Sequence, residues 1–407
     1  MDFAGTKQIS LSYLRKFRSS LKQNGRPLFL KNHTLILRNR TIEINFNSFL
    51  FPFALYRLLF VIFGELVLKK KRVIDLNSIE YMKTVQFREA LREAMNEEMR
   101  RDENVFLLGE EVAEYNGAYK VSQGMLDEFG PKRVIDTPIA ELGFAGIAVG
   151  ASMNGLRPIV EFMTWNFAIL AADQIINSAA KMLQMSGGQY NCPIVFRGGN
   201  GTAGQLAATH SQSFEAFYAH VPGLKVITPS NPYDAKGLLK AAIRDNDPVV
   251  FLESEKMYGD KGEIPEGEYI IPIGVADIKR KGTDVTIVSF GKILKVAYEA
   301  AAELEKEGIS CEIIDLRTIR PLDYACIVES VKKTNRCVVL EESWPLASIS
   351  SEISYHLQRY AFDYLDAPVM RVTQSDTPFA FSPTLIEEAL PNVKRLMDAV
   401  KSTMYRN

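Results

Sequence analysis

Two side chains in this sequence have the type and setting of proton-handling groups. Glu141 heads a run, 142–156, that carries no charge at all, a composition that predicts a buried helix beginning at Glu141. Gly146 and Gly150, four apart on that helix, would let another backbone come close. Burial starves such a carboxylate of water and raises its pKa, while the helix dipole lowers it. The same residue reads equally as an acid capping the first turn of a core helix. His210 follows small residues in AATHSQSFEAFYAH, 207–220, at a loop or helix start, and reads either as a structural hydrogen-bonder or as a catalyst. The aromatic cluster EFMTWNF, 161–167, falls at a strand end and helix start. It is either core or one wall of a ligand pocket, because pockets in open α/β sheets form beyond the carboxyl ends of strands.

Other chemistries find no residues to carry them. With 48 basic and 49 acidic side chains the net charge is -1, and no basic stripe interleaved with aromatics or nucleic-acid-binding signature occurs, so nucleic acid is not a partner. The four histidines, His33, His210, His220 and His356, are scattered without the spacing of a zinc or iron site. Cys192, Cys311, Cys326 and Cys337 form no CxxC pair and read as reduced thiols of a cytosol-like compartment. Neither a P-loop, a strand-led GxGxxG nor a GxSxG elbow is present, and RGGNGTAG at 197–204 is only a glycine-rich turn.

The elements that must position these residues alternate. VFLLGEE, PIVEF, PIVFRG, KVITP and PVVFLE are short β-branched runs, and 167–185 and 232–244 have helical periodicity, which predicts an α/β domain with a mostly parallel sheet. GDKGEIPEGEYIIPIG, 259–274, reads as a linker. A second unit of the same class follows, with strands VTIVSFG, CEIIDLRTI and CVVLEES and helices near 292–308, 323–334 and 348–362. The fold class is therefore α/β, in two domains, 82–258 and 275–407. Residues 1–81 do not match this pattern and are read as an extra segment outside the functional fold. Within them 48–68 has about the length of a membrane span with a positive flank, but Pro52, Arg57, Gly64 and Glu65 interrupt it. An amphipathic helix is expected from Met82, MKTVQFREALREAMNEEMRRDE.

Several long motifs resemble one family. FLLGEEVAEYNGAYKVSQGM, RVIDTPIAELGFAGIAVGASMNGLRPIVEFMTWNF, DQIINSAAK, HSQSFEAFYAHVPGLKVITPSNPYDAKGLL and IDLRTIRPLD are similar to the beta subunits of the pyruvate dehydrogenase component of 2-oxo acid dehydrogenase complexes, from about Met82 onward. The resemblance implies a transketolase-like pair of domains, pyrimidine-binding then C-terminal, working with thiamine diphosphate. It implies that Glu141 hydrogen-bonds the aminopyrimidine ring nitrogen and exchanges the proton that activates the cofactor. Phe167 would pack on that ring, with Met163 on the same wall, and His210 would handle the substrate or the lipoyl acceptor. It also implies a potassium site at Ile194, Ala242, Ile243, Asp245 and Asp247, the last an Asp where asparagine is familiar.

The magnesium-diphosphate motif of such enzymes, GDG with a later Asn, is absent from the sequence; GDKG at Gly259 is not one. The resemblance implies that an alpha subunit supplies that half in an α2β2 heterotetramer, with the 142–156 helix as the candidate interface. It further implies oxidative decarboxylation of pyruvate, acetylation of the lipoyl group of dihydrolipoyl acetyltransferase, and contact of Asp366 with that partner. The alternatives are a branched-chain 2-oxo acid or acetoin dehydrogenase beta subunit, and a non-catalytic scaffold tethered to a membrane by 48–68. A cytoplasmic location is expected, with an organelle matrix as the alternative.

Overall fold

The computed structural model describes residues 81–405 and two short strands, Leu35–Leu37 and Arg40–Ile42, which pair antiparallel. The stretch 48–68 lies outside the described residues, and among those described no helix is long and apolar enough to cross a membrane. Lys83–Asn407 forms one compact unit.

Its first sheet is built from β1 (Val105–Gly109), β2 (Val134–Asp136), β3 (Arg157–Thr164), β4 (Val195–Gly199), β5 (Lys225–Ile227) and β6 (Val249–Glu253). These lie parallel in the order β5-β6-β4-β3-β1-β2. The second sheet contains β7 (Asp277–Arg280), β8 (Val285–Ser289) and β9 (Cys311–Asp315). The next strand, β10 (Thr318–Arg320), leaves it and pairs antiparallel with β5 at the edge of the first sheet. Strands β11 (Cys337–Leu340) and β12 (Met370–Val372) complete the second sheet in the order β7-β9-β8-β11-β12, all parallel except β7. The longer helices are α1 (Phe87–Arg101), α2 (Glu141–Met153), α3 (Pro232–Arg244), α4 (Leu294–Lys306), α5 (Tyr324–Thr334), α6 (Ile349–Tyr360) and α7 (Val393–Thr403). The expected α/β class with two mostly parallel sheets is what the chain adopts. Val160, Phe196 and Val250 of the first sheet share one apolar core with Val288, Ile314 and Val339 of the second.

Four local expectations give way. Met82 opens a strand, Met82–Gln86, that pairs with Lys261–Pro265, and the helix waits until Phe87. Thr84 and Val85 favour an extended chain, and a capping box between Gln86 and Glu89 fixes the helix start. The stretch read as a linker thus contains a paired strand. CEIIDLRTI is two strands in two sheets, because Arg317 turns the chain through a left-handed φ of 58°. The helix 167–185 is interrupted: Trp165–Ala168 and Ala180–Met185 are α-helical, with a 3-10 turn at Ile169–Ala171 and a π-turn at Gln174–Ala179 between them.

Candidate active site

The chain runs from β1 out to β2 and then back across β1 to β3, so the strand order reverses between β1 and β3. In open α/β sheets that reversal leaves a crevice outside the carboxyl ends of the strands, the usual place for a ligand. Gly109 ends β1 so close to β3 that a Cβ there would lie 2.4 Å from the Glu161 carbonyl oxygen. Glu110 follows immediately. Helix α2 begins at Glu141, and the two carboxyl groups lie close enough to interact. Both are buried. Desolvation and then the charge of Glu141 push the Glu110 carboxyl up to about 7. Glu110 Oε1 has no hydrogen-bond partner in the chain.

Strand β3 leads into a second group of candidate residues. Thr164 caps the turn that follows, its hydroxyl accepting the Asn166 N–H, and this turn presents Phe167 half-buried; Met163 just before it is half-buried as well. The Phe167 ring meets the His210 ring edge-on, centroids 5.2 Å apart at 84°. His210 Nδ1 is engaged by the Thr209 hydroxyl at 3.0 Å. Below these groups Arg197 is fully buried between Glu161 and Glu253, with the Tyr258 hydroxyl donating to Glu253 at 2.8 Å. The carboxyl pair and the Phe167–His210 wall thus sit at the carboxyl ends of adjacent strands. Glu110 was missed from the sequence; its only signal was its place at the end of the VFLLGEE strand.

The other candidate residues lie elsewhere. Ala242, Ile243, Asp245 and Asp247 surround the end of α3, and the Ile243 and Asp245 carbonyls already accept from the Arg157 guanidinium at 3.0 and 2.7 Å. The Ile194 carbonyl accepts from the Val249 N–H, and Lys225 Nζ pairs with the Asp245 and Asp247 carboxylates. Two cationic side chains therefore occupy this corner. Asp366 lies ahead of β12, half-exposed and paired with Arg336 at 2.8 Å. Helix α2 is only partly buried. Phe144, Ala145, Ala148 and Val149 face the core, Gly146 lies against Gln174, and Leu142 and Ile147 are 51% and 70% exposed. Ile139, just ahead of α2, and Leu170, in the 3-10 turn packed on it, are exposed as well.

Comparison with known proteins defines the class first. Residues 83–261 match the transketolase pyrimidine-binding domain and residues 274–396 the transketolase C-terminal domain. A solved chain described as a split-gene transketolase, inactive beta4 tetramer, shares the fold with a TM-score of 0.65 at 22% identity, covering 79% of this chain and 99% of that one. Among curated proteins, the pyruvate dehydrogenase E1 component subunit beta of Rhizobium meliloti (strain 1021) is 58% identical over 326 residues, 80% of this chain and 71% of that protein. That of Rickettsia felis is 57% identical over 79% of this chain and 98% of its own length. The mitochondrial protein of the same name from Homo sapiens is 54% identical over 79% of this chain and 90% of its own. The chain belongs to the family of pyruvate dehydrogenase E1 component beta subunits, thiamine-diphosphate-dependent proteins of transketolase type.

Proposed function

We propose that this chain, together with an alpha subunit, decarboxylates pyruvate and passes the acetyl group to the lipoyl group of dihydrolipoyl acetyltransferase. The observation that carries the reading is the buried Glu110–Glu141 pair at the strand-order reversal. It fits one half of a thiamine diphosphate site. A buried carboxyl pair with an unpartnered oxygen matches the donor and acceptor edge of an aminopyrimidine, and a half-buried phenylalanine ring offers a face to pack on it. When bound, thiamine diphosphate supplies the nucleophile and electron sink for decarboxylating a 2-oxo acid. Glu141, backed by Glu110, holds and exchanges the proton at the ring nitrogen; Phe167 and Met163 orient the ring. His210, steadied at Nδ1 by Thr209, moves a proton for the substrate or the lipoyl acceptor through Nε2.

The missing GDG motif supports a site in which the alpha subunit holds Mg2+ and the diphosphate. The exposed apolar residues on and around α2 support burial against that partner in an α2β2 assembly. Asp366 is the proposed contact to the acetyltransferase, and Ile194, Ala242, Ile243, Asp245 and Asp247 the proposed potassium site, where K+ would share carbonyls with Arg157. Residues 82–258 and 275–407 act as the two domains about 259–274. The location is cytoplasmic, or an organelle matrix as in relatives named mitochondrial. Assembling the chain with its alpha subunit and assaying pyruvate, branched-chain 2-oxo acids and acetoin with a lipoyl acceptor tests the reading. Preference for pyruvate is expected; turnover only with another substrate, or none with any, overturns it.

A further inference from the structure

The loop that carries His210 leaves β4 at Gly199 and returns at Phe214, and its tip at 204–206 is exposed. Its return end is tied within the first sheet's own layer. The Asn200 side chain accepts from the Phe214 N–H at 3.0 Å and donates to Glu215 at 2.8 Å, and Gln212 donates twice to the Asn166 side-chain oxygen. Its leaving end shares that layer through the Asn200 N–H to the Glu253 carbonyl at 2.7 Å and the Gly201 N–H to the Gln212 carbonyl at 2.9 Å, and one residue on it is held instead by residues at the carboxyl ends of two strands of the second sheet. Glu342, just beyond β11, accepts the Thr202 N–H at 2.6 Å and also the Thr202 hydroxyl. Lys292, just beyond β8, donates to the Thr202 carbonyl at 2.7 Å and pairs with Glu342 at 2.8 Å. Gly201 permits this approach, having a φ of +78° and a hydrogen where a Cβ would stand 3.0 Å from Glu342 Oε1. Glu342 is 6% exposed, and its second oxygen lines a small cavity with Glu215, Ser213 and Ser254, each with a side-chain oxygen unpartnered in the chain.

Burying a charged pair costs desolvation that a surface tie would not, so a pair that spends its hydrogen bonds on a single loop residue is a device for geometry rather than for stability. We propose that Glu342 and Lys292 are positioning residues that latch the His210 loop to the second sheet, so that acyl transfer depends on them and cofactor activation does not. The latch rests on the role assigned above to His210. Between Thr202 and Thr209 the chain makes few bonds to the rest of the molecule, and a displacement at its leaving end carries through to the imidazole. A misplacement of about 1 Å at a reacting group costs up to ~100-fold in rate.

The experiment compares wild type, Glu342→Ala, Glu342→Gln, Lys292→Met and His210→Ala in the assembled enzyme. Glu342→Ala and Lys292→Met are expected to speed hydrogen exchange of the 201–214 backbone selectively. They should also slow single-turnover acetylation of a lipoyl acceptor about tenfold or more, and leave C2 proton exchange of bound thiamine diphosphate within about twofold of wild type. Glu342→Gln keeps an acceptor for the Thr202 N–H and should restore most of the loss. Unchanged loop exchange in both Glu342→Ala and Lys292→Met, or equal losses in the two half-reactions, overturns the latch while His210→Ala remains impaired. Normal acetylation by His210→Ala overturns the His210 reading and, with it, the functional part of the latch.

Discussion

Replacing Arg197 with methionine isolates the energetic core beneath the active site. The guanidinium is buried on every side; Nε and Nη2 donate to Glu253 at 2.6 and 2.5 Å, and Nη1 donates to Glu161. Methionine fills much of the volume but leaves two carboxylates, both 5% exposed or less, without their cation. Breaking a buried pair by removing one partner costs about 3–5 kcal/mol, because the remaining charge keeps its desolvation penalty. At about 2 °C per kcal/mol for a large domain, the melting temperature should fall by roughly 6–10 °C. The pH dependence is the sharper signature. Burial already raises the Glu161 carboxyl, Arg197 lowers it, and Glu253 raises it again. Without Arg197 the folded-state Glu161 value climbs further. A carboxyl whose folded pKa lies above its unfolded value supports stability below the unfolded pKa and loses that support as pH rises. The penalty of Arg197→Met should therefore be small near pH 5 and full at pH 8, and adding Glu161→Gln and Glu253→Gln should recover part of it. Denaturant unfolding at both pH values measures this. A loss under about 1 kcal/mol at pH 8, or one independent of pH, would refute the reasoning.

Glu141→Gln should leave the melting temperature near that of wild type and remove most activity by blocking C2 proton exchange of bound thiamine diphosphate; an unchanged exchange rate sinks the assignment. Glu110, held up to about 7 by burial and by Glu141, stays protonated in the folded chain where the unfolded carboxyl is already charged, so the stability it contributes below pH 4.5 is lost between about 4.5 and 7. Glu110→Gln should consequently gain in melting temperature relative to wild type between pH 4.5 and about 7 and keep that gain unchanged above it, and a constant difference from pH 4.5 to 7 would count against the pair. Ile147→Asp puts a charge on the exposed apolar face of α2, where Ile147 is 70% exposed. It should block association with the alpha subunit in sedimentation while the isolated chain melts as before, and normal assembly would free that face of its role. Asp366→Ala loses the exposed pair with Arg336, worth about 0–1 kcal/mol. It should weaken binding of the acetyltransferase's subunit-binding domain more at low salt than at high salt, and equal low-salt affinities would dismiss the contact.

What the sequence made legible and what it hid divide along one physical line. Short β-branched runs announced the inner strands β1, β3, β4, β6, β8, β9 and β11, because these are buried on both faces and need Val, Ile, Leu or Phe at nearly every position, as in VVFLE of β6, whereas the partly exposed edge strands β2 and β7 carry no such run and were not read. Glu141 was legible as the start of α2 because a lone acid before an uncharged run is a local signal. The partner of that acid was not. Glu110 sits 31 positions earlier, in a run whose next residue is also a glutamate, and the pairing of β1 with β2 and β3 brings it to the start of α2. The same holds for Arg317, whose left-handed backbone divides a continuous β-branched stretch between two sheets. It holds again for Glu342, which reaches Thr202 from 140 positions away. Local pattern reports the environment a residue needs, and so it reports burial and period well. Function at this site depends on which buried acids meet. That is fixed by the order of strands in the sheet, which no window of sequence contains; substitutions that keep every strand intact but alter the β1–β3 junction, such as a larger residue at Gly109, would dismantle the pair without disturbing the pattern that announced it.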